Sequence, residues 1–252
     1  MLSYQLEGRA ALVTGAISGI GLATATMLAR NGAAVAINHL PDDPRVPDAI
    51  ARLHGEGLRV IAVPGRVGDG EEERMVRSAA DQLGRLDLLV NNAGTPAVTQ
   101  AVPAERLDLL TDEVWDSVLS TNLVGLFRCA RAAAPFLKQS HGAIVSVASI
   151  SALTSRGSSM AYAATKGGVI TLTKHLARAL APEVRVNAVA PGAVDSSWQV
   201  QWSEAERRQS IDNALLRRRC TTDDIAEVIV FLGCAAAMVT GQTLVVDGGL
   251  TV

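Results

Sequence analysis

Short apolar runs alternate with helical patterns along the whole chain, and this alternation constrains the fold more than any other feature. The runs are almost continuously apolar, as strands of a parallel sheet covered by helices on both faces must be. We place seven strands at residues 10–14, 33–38, 58–63, 86–90, 143–147, 184–190 and 243–246. Helical periodicity covers 19–30, 47–55, 70–83, 111–138, 158–181 and 225–239. The pattern predicts an α/β doubly wound (Rossmann) fold with a seven-stranded parallel sheet and a ligand at the carboxyl ends of the strands.

The composition favours one globular domain over residues 1–252. Of the 252 residues, 48% are hydrophobic and 19% are charged, so the chain can bury a large core. A formal net charge of −2 gives no basic surface for nucleic acid. The most apolar stretch, 228–239, falls well short of the ~20 residues that span a bilayer, so no membrane association is expected.

The first residues lack the features of a secretion signal. The three cysteines (Cys129, Cys220 and Cys234) are scattered, and the four histidines do not cluster. We therefore expect free thiols, no metal site and a cytoplasmic protein.

A glycine-rich turn follows the first strand and opens the first helix. Thr14, Gly15, Gly19 and Gly21 form the pattern Thr-Gly-x-x-x-Gly-x-Gly. Glycines at such a turn let backbone N–H groups approach a pyrophosphate at the helix N-terminus. Glycine clusters in turns are also common for structural reasons alone, so this motif by itself leaves both readings open.

Tyr162 and Lys166 are four residues apart in a helical segment, which places a phenol and an ammonium on one face. A free phenol has a pKa near ~10, and a neighbouring cation favours the phenolate. This pair therefore predicts proton transfer, with Lys166 expected to lower the pKa of Tyr162.

Several motifs in order along the chain resemble the short-chain dehydrogenase/reductase family. They are Thr14-Gly15-x-x-x-Gly19-x-Gly21, Asn91-Asn92-Ala93-Gly94, Asn122, Ser149, Tyr162-x-x-x-Lys166, Pro191-Gly192-Ala193-Val194 and Val246-Asp247-Gly248-Gly249. The resemblance covers essentially the whole chain. It implies catalysis by Asn122, Ser149, Tyr162 and Lys166, with Tyr162 as acid or base, Ser149 holding the substrate oxygen and Asn122 supporting a water relay to Lys166.

The same resemblance implies an NAD(P)(H) cofactor. Its expected contacts are Gly15, Ser18, Gly19, Ile20, Gly21, His39, Arg66, Val67, Asn91, Ala93, Gly94, Tyr162, Lys166, Pro191, Gly192, Val194 and Ser196. A purely structural role for Asn91 is the alternative.

The sequence departs from the family pattern at two positions near the adenosine end. His39 stands where a carboxylate commonly selects NAD, and Arg66 stands where relatives commonly carry an aspartate. Asp42 and Asp43 come slightly late and are expected on a solvated loop. Because Arg66 brings a positive charge and His39 replaces the usual carboxylate, we expect a slight preference for NADP(H).

Residues 195–219 are polar and contain Trp198 and Trp202, which suits a mobile lid over a cavity. The tryptophans could instead anchor a surface helix or a subunit contact. Residues 95–110 are expected to form a rim of the same cleft, and Ser151, Arg156 and Trp198 are candidate substrate contacts. The run 217–219 is expected to be solvated or close to the substrate.

The sequence thus predicts an oxidoreductase that interconverts a secondary alcohol and a ketone, or an aldehyde, on a small organic substrate. A 3-oxoacyl thioester, a sugar or polyol and a steroid-like or xenobiotic ketone all remain open as substrates. A cofactor-binding sensor or scaffold without turnover is the rival hypothesis. By resemblance, the protein is expected to form a homodimer or homotetramer.

Overall fold

A parallel seven-stranded sheet forms the centre of the protein. The computed structural model describes residues 4–154, 156–196 and 200–252. The strands are β1 Ala10–Val13, β2 Ala34–His39, β3 Val60–Pro64, β4 Leu88–Asn91, β5 Ala143–Val147, β6 Arg185–Pro191 and β7 Thr243–Val246. Within these ranges their order across the sheet is β3-β2-β1-β4-β5-β6-β7, and neighbouring strands pair in parallel. The predicted fold class is confirmed.

Helices connect the strands. They are α1 Gly19–Arg30, α2 Val46–Gly55, α3 Glu72–Leu83, α4 Asp112–Leu119, α5 Leu126–Ser140, α6 Met160–Leu180, α7 Glu204–Asn213 and α8 Thr222–Cys234. Short 3-10 turns lie at Leu107–Leu109 and Ile150–Ala152. No helix in the described part of the chain is long and apolar enough to cross a membrane.

Successive residues on the central strands enter two separate apolar layers. One layer contains Leu12, Leu89 and Ile144, and the other contains the residues that follow them, Val13, Val90 and Val145. Helices α3, α5 and α6 contribute to the first layer, and α1, α2 and α8 contribute to the second. Because both sides of each strand are buried, the strands carry the almost continuous apolar runs seen in the sequence.

The sheet grows in opposite directions from β1. Ala11 is paired with Val35 of β2 on one side and with Leu88 of β4 on the other. The connections on the two sides of this point diverge, which leaves a crevice beyond the carboxyl ends of β1 and β4.

The single helix expected over 111–138 is divided into two. A π turn at Ser120–Gly125 separates α4 from α5. A Cβ atom on Gly125 would lie 2.7 Å from Cγ1 of Val67 and 2.8 Å from the backbone nitrogen of Gly68. This close approach of the loop after β3 is a tertiary constraint, which helical periodicity cannot reveal.

Candidate active site

A cavity of about 1040 Å³ opens at the carboxyl ends of the central strands. Its size is at the upper end of the range for ligand pockets and suits a dinucleotide together with a substrate. Most residues predicted from the sequence line it. These are Gly15, Ser18, Gly19, Ile20, His39, Arg66, Val67, Ala93, Gly94, Ser149, Ser151, Arg156, Tyr162, Lys166, Pro191, Gly192, Val194 and Ser196.

The turn between β1 and α1 forms one wall of the cavity. Gly15 and Gly19 have φ values of 60° and 57°, in the left-handed region that favours glycine. A Cβ atom on Gly15 would lie 3.0 Å from Cα of Ala93. The Ser18 hydroxyl makes no capping hydrogen bond within the described part of α1, so the first N–H groups of the helix remain available. These groups and the helix dipole fit the pyrophosphate of a dinucleotide.

Thr14 and Asn92, which were not among the predicted site residues, hold this turn against β4. The Asn92 side-chain amide donates to the carbonyls of Thr14 and Gly15, at 2.9 and 3.0 Å. The Thr14 hydroxyl accepts from the backbone N–H groups of Asn92 and Ala93, both at 3.0 Å. A Cβ atom on Gly21 would lie 2.5 Å from the Asn92 side-chain nitrogen. Gly21 therefore acts through packing and does not line the cavity.

Asn91, a predicted cofactor contact, also does not line the cavity. Its side chain is buried, and its amide atoms have no hydrogen-bond partner among the described residues. Consecutive strand residues face opposite sides of a sheet, so only one of Asn91 and Asn92 can face the turn. Asn91 was the predicted contact, whereas Asn92 is the one that lines the cavity.

Asn38 and His39 shape the adenosine end of the cavity. Asn38 accepts a hydrogen bond from the Gly15 N–H at 3.1 Å and donates to the Gly65 carbonyl at 2.9 Å. The His39 ring is buried, and its Nδ1 lies 2.9 Å from the Leu40 carbonyl. Because a carbonyl only accepts, Nδ1 carries the proton.

Two arginines and one carboxylate line the same end. Asp43 was expected on a solvated loop, but its side chain is only 6% exposed. Arg45 donates to both carboxylate oxygens of Asp43, at 2.8 and 2.5 Å, and these hydrogen bonds lower the pKa of Asp43 to about 2. The Arg66 Nε atom lies 3.4 Å from a carboxylate oxygen of Asp69.

Helix α6 brings the predicted proton-transfer residues together. The N–H of Tyr162 donates to the Ser159 hydroxyl at the start of the helix, at 3.1 Å. Lys166, one turn later, places its ammonium 5.5 Å from the centre of the Tyr162 ring. That ammonium donates to the carbonyl of Val147 at the end of β5, at 2.7 Å. Ser149 follows the same strand, and its side chain hydrogen-bonds the Tyr162 phenol.

Burial shifts both pKa values towards the neutral forms. The pKa of Tyr162 is raised to about 12 by desolvation, although the hydrogen bond with Ser149 opposes the shift. Desolvation lowers the pKa of Lys166 to about 8. The expected lowering of the Tyr162 pKa by Lys166 is therefore not found, because burial outweighs the stabilisation of a phenolate. At neutral pH Tyr162 carries a proton that it can donate.

Asn122 lies in the π turn and reaches the neighbourhood of Lys166. Its side-chain oxygen accepts from the Thr95 N–H at 2.8 Å, and its amide donates to the Thr95 carbonyl at 2.9 Å and to the Thr165 hydroxyl at 3.3 Å. Asn122 does not line the cavity. A Cβ atom on Gly94 would lie 3.2 Å from the Asn122 oxygen and 3.7 Å from the Lys166 nitrogen, so both groups border the same space.

The loop after β6 closes the cavity on a further side. A Cβ atom on Gly192 would lie 2.5 Å from Cβ of Asp247, so this glycine permits the close approach of the C-terminal turn. Asp247 in turn accepts hydrogen bonds from the N–H groups of Gly249 and Thr251, at 2.8 and 2.9 Å. The start of this loop is thereby packed against the turn after β7.

The candidate substrate contacts lie in different settings. Ser151 is buried beside Ser149, to whose hydroxyl its N–H donates at 3.1 Å, and Arg156 is exposed at the cavity. Trp198 falls outside the described residues. Trp202 lines the cavity, together with one side of α7. The α7 residues at the cavity are Glu206, Arg207, Gln209, Ser210 and Asn213.

Comparisons with known proteins agree with this geometry. Residues 15–251 match the sequence family described as Enoyl-(Acyl carrier protein) reductase. The 3-oxoacyl-[acyl-carrier-protein] reductase FabG of Staphylococcus aureus is 37% identical over 246 residues, which cover 96% of this chain and 98% of the relative. A short chain dehydrogenase from Burkholderia cenocepacia, solved in complex with NADP, is 33% identical with a TM-score of 0.88, over 98% of this chain and 100% of that one.

A second solved structure covers the entire chain. The short-chain dehydrogenase/reductase SDR:Glucose/ribitol dehydrogenase from Brucella melitensis is 29% identical with a TM-score of 0.90, over 100% of both chains. The family match, the relative and the shared fold extend over nearly every residue, including all the elements that line the cavity. The chain therefore belongs to the short-chain dehydrogenase/reductase family of NAD(P)-dependent oxidoreductases.

Proposed function

We propose that this enzyme interconverts a secondary alcohol and a ketone, or an aldehyde, on a small organic substrate, with Tyr162 as the acid or base. The proposal depends on one observation. Tyr162, Ser149 and Lys166 line the same cavity, and the other end of that cavity fits a pyrophosphate. The nicotinamide cofactor, when bound, supplies the hydride. The Tyr162 phenol is protonated at neutral pH and can donate to a carbonyl oxygen, and burial raises its pKa to about 12.

The other predicted catalytic residues have complementary roles in this proposal. Ser149 holds the substrate oxygen beside the Tyr162 phenol, to which it is already hydrogen-bonded. Lys166 is fixed by the Val147 carbonyl and can contact a cofactor ribose in the cavity. Asn122 is the fourth residue. Its side-chain oxygen and the Lys166 nitrogen both border the space beside Gly94, which suits a proton path through water between them.

We infer that the glycine turn, the ends of β2 and β4 and the loop after β6 hold the cofactor. The residues proposed to touch it are Gly15, Ser18, Gly19, Ile20, His39, Arg66, Val67, Ala93, Gly94, Tyr162, Lys166, Pro191, Gly192, Val194 and Ser196. Gly21 supports this surface by packing against Asn92. Asn91 is buried, and we assign it a structural role.

A preference for NADP(H) is supported by the charges at the adenosine end. His39 occupies the strand end where a carboxylate would repel a 2′-phosphate. Asp43, the nearby carboxylate, is engaged by Arg45, while Arg45 and Arg66 both line the cavity. The structural relative from Burkholderia cenocepacia, which binds NADP, agrees with this preference.

A 3-oxoacyl thioester is the second candidate substrate. Its support is the 37% identity with the 3-oxoacyl-[acyl-carrier-protein] reductase of Staphylococcus aureus over nearly the whole chain. The wall contributed by α7 is polar and includes Arg207, Gln209 and Asn213, which also suits a small hydroxylated substrate. Turnover of each class under the same conditions distinguishes them.

We also propose that the protein self-associates through α5 and α6. Leu123, Val124, Phe127, Leu172 and His175 line a shallow apolar recess there, in which Val124 and Phe127 are 40% and 38% exposed. Contiguous apolar surface of this kind is typical of an interface. The outer strand β7 also exposes apolar side chains, at Leu244 and Val245.

Replacing Tyr162 tests the reaction. NADPH oxidation by the wild-type protein is followed across a panel of ketones, aldehydes and 3-oxoacyl thioesters. Tyr162→Phe is expected to lower turnover by about 10²–10⁴-fold, because it removes the proton donor, and to leave NADPH binding intact. Tyr4→Phe, which changes the only other tyrosine, is the control. Undiminished turnover in Tyr162→Phe would remove this residue from the mechanism, and wild-type binding without turnover on the whole panel would favour the sensor hypothesis.

Lys166→Met is expected to raise the free energy of unfolding by about 3 kcal/mol at pH 7, because it removes a buried ammonium. The pKa of Lys166 falls from 10.5 to about 8 on folding, so the cost is complete below pH 8 and disappears as the pH rises to 10.5. Urea unfolding at pH 7 and pH 10.5 measures the difference, with the exposed Lys174→Met on the same helix as control. A variant less stable than wild type at pH 7 would show that the bond to Val147 outweighs desolvation.

The cofactor preference is tested by fluorescence titration with NADPH and NADH. The wild-type protein is expected to bind NADPH more tightly, and Arg66→Gln to weaken NADPH about tenfold with little change for NADH. His39→Asp should shift the preference towards NADH. Arg74→Gln, an exposed arginine on α3, is the control. Equal loss of both cofactors in Arg66→Gln, or tighter NADH binding by the wild type, would contradict the preference.

Self-association is tested by light scattering after size exclusion. The wild-type mass is expected to be that of a dimer or tetramer, and Phe127→Glu is expected to reduce it, because a charge on this apolar surface opposes burial. Leu107→Glu, at an exposed residue of the 3-10 turn Leu107–Leu109, is the control. A monomeric wild-type mass would overturn the proposal.

A further inference from the structure

Arg219 differs from the arginines that precede it. Although the run 217–219 was expected to be solvated or close to the substrate, the Arg219 side chain is only 8% exposed. Arg218, by contrast, is 55% exposed and pairs with Asp224 in the first turn of α8. Burial of one guanidinium in a surface segment indicates that its contacts are specific.

The Arg219 guanidinium contacts two separate parts of the structure. It donates to the carbonyl of Val194 at 2.8 Å, and its Nε lies 2.6 Å from a carboxylate oxygen of Asp195. Its third nitrogen donates to the Ser210 hydroxyl of α7 at 3.2 Å. The contact with Asp195 is a charge pair without hydrogen-bond geometry, and Asp195 is 57% exposed, so the pair itself contributes little. The distinctive feature is the guanidinium fork, in which the two terminal nitrogens of Arg219 bond Val194 and Ser210.

The segment between β6 and α8 contains α7, and backbone hydrogen bonds join its first residues to its last. The N–H of Asp195 donates to the Cys220 carbonyl at 2.8 Å, and the N–H of Cys220 donates to the Ala193 carbonyl at 2.9 Å. These bonds fix the two ends of the segment but not its centre. Arg219 lies at the paired end and reaches from there to the middle of the segment.

Helix α7 has little packing of its own. None of its residues is buried in the described part of the structure, although one side of it lines the cavity. Two backbone bonds hold the flanking residues: Gln201 N–H to the Thr99 carbonyl at 2.9 Å, and Leu216 N–H to the Gly248 carbonyl at 2.9 Å. A helix with few buried contacts opens easily, so a side-chain tie at its centre has a large effect on its position.

We propose that Arg219 is a positioning residue that fixes α7 relative to the loop after β6. This loop lines the cavity at Val194, and α7 forms the polar wall on the substrate side. Arg219 thereby fixes the position of the wall formed by α7 relative to the wall formed by the loop after β6. The effect expected on turnover rests on the proposed function, whereas the effect on α7 does not.

Hydrogen exchange of the protein, measured by mass spectrometry, tests directly whether Arg219 holds α7 in place. Arg219→Gln is expected to speed exchange over residues 204–213 at least tenfold and to leave α8 unchanged, because the link to Ser210 is lost. Arg208→Gln, which removes the same charge from an exposed position of α7, should exchange like wild type. Unchanged exchange in Arg219→Gln, or equal acceleration in Arg208→Gln, would overturn the proposal.

Two further variants separate geometry from charge. Arg219→Lys keeps the charge but cannot span both partners, so it should resemble Arg219→Gln. Ser210→Ala removes one contact and should speed exchange in α7 alone. A wild-type exchange pattern in both variants would contradict the role of the fork.

Kinetics with the best panel substrate adds a functional readout. Arg219→Gln is expected to raise KM for the carbonyl substrate about tenfold with a smaller change in kcat, and to leave the NADPH affinity unchanged. A change confined to NADPH affinity would overturn the assignment to the substrate wall. If the wild type turns over no substrate, the proposed reaction fails while the exchange experiment still tests Arg219.

Discussion

The cavity depends first on the close approach of the turn after β1 to the end of β4. Gly15 lies where a side chain would meet Ala93 at 3.0 Å, and Asn92 holds the turn in that position by bonding its carbonyls. This contact aims the N-terminus of α1 into the cavity. The Asn38 side chain then fixes the end of β2 against the same turn through the Gly15 N–H. The cofactor end is therefore built mainly from backbone groups, which a parallel sheet can place with little side-chain entropy.

The end of the cavity at Tyr162 and Lys166 is built in the opposite way, from side chains whose charged forms are disfavoured by burial. The Lys166 ammonium donates to one carbonyl, and burial raises the pKa of Tyr162 to about 12. Such groups lower stability and persist only where rigid elements hold them. The start of α6 and the end of β5 provide that support, since the Ser159 hydroxyl bonds the Tyr162 N–H and Val147 bonds Lys166.

The sequence predicted the fold and most of the cavity because both follow from local patterns. Strands β5 and β7 begin and end at the predicted residues, and the glycine and Tyr162 motifs mark their own positions. The π turn was missed because helical periodicity is a local pattern, whereas Gly125 in this turn packs against Val67, far away in sequence. Burial was equally invisible: it reverses the expected pKa shift of Tyr162 and encloses Asp43. The roles of the site residues remain proposals.

The two sides of the cavity differ in how tightly they are packed against the rest of the protein. The cofactor side is formed by strand ends and by glycines in close contact, so a substitution there disturbs the sheet itself. The substrate side depends on α7, which has no buried residue in the described structure and is joined to the rest at few points. Side chains on α7 can therefore change without loss of the fold, so this wall of the cavity can vary while the scaffold stays the same. Because so little packing holds this wall, its geometry depends on individual contacts such as that between Arg219 and Ser210.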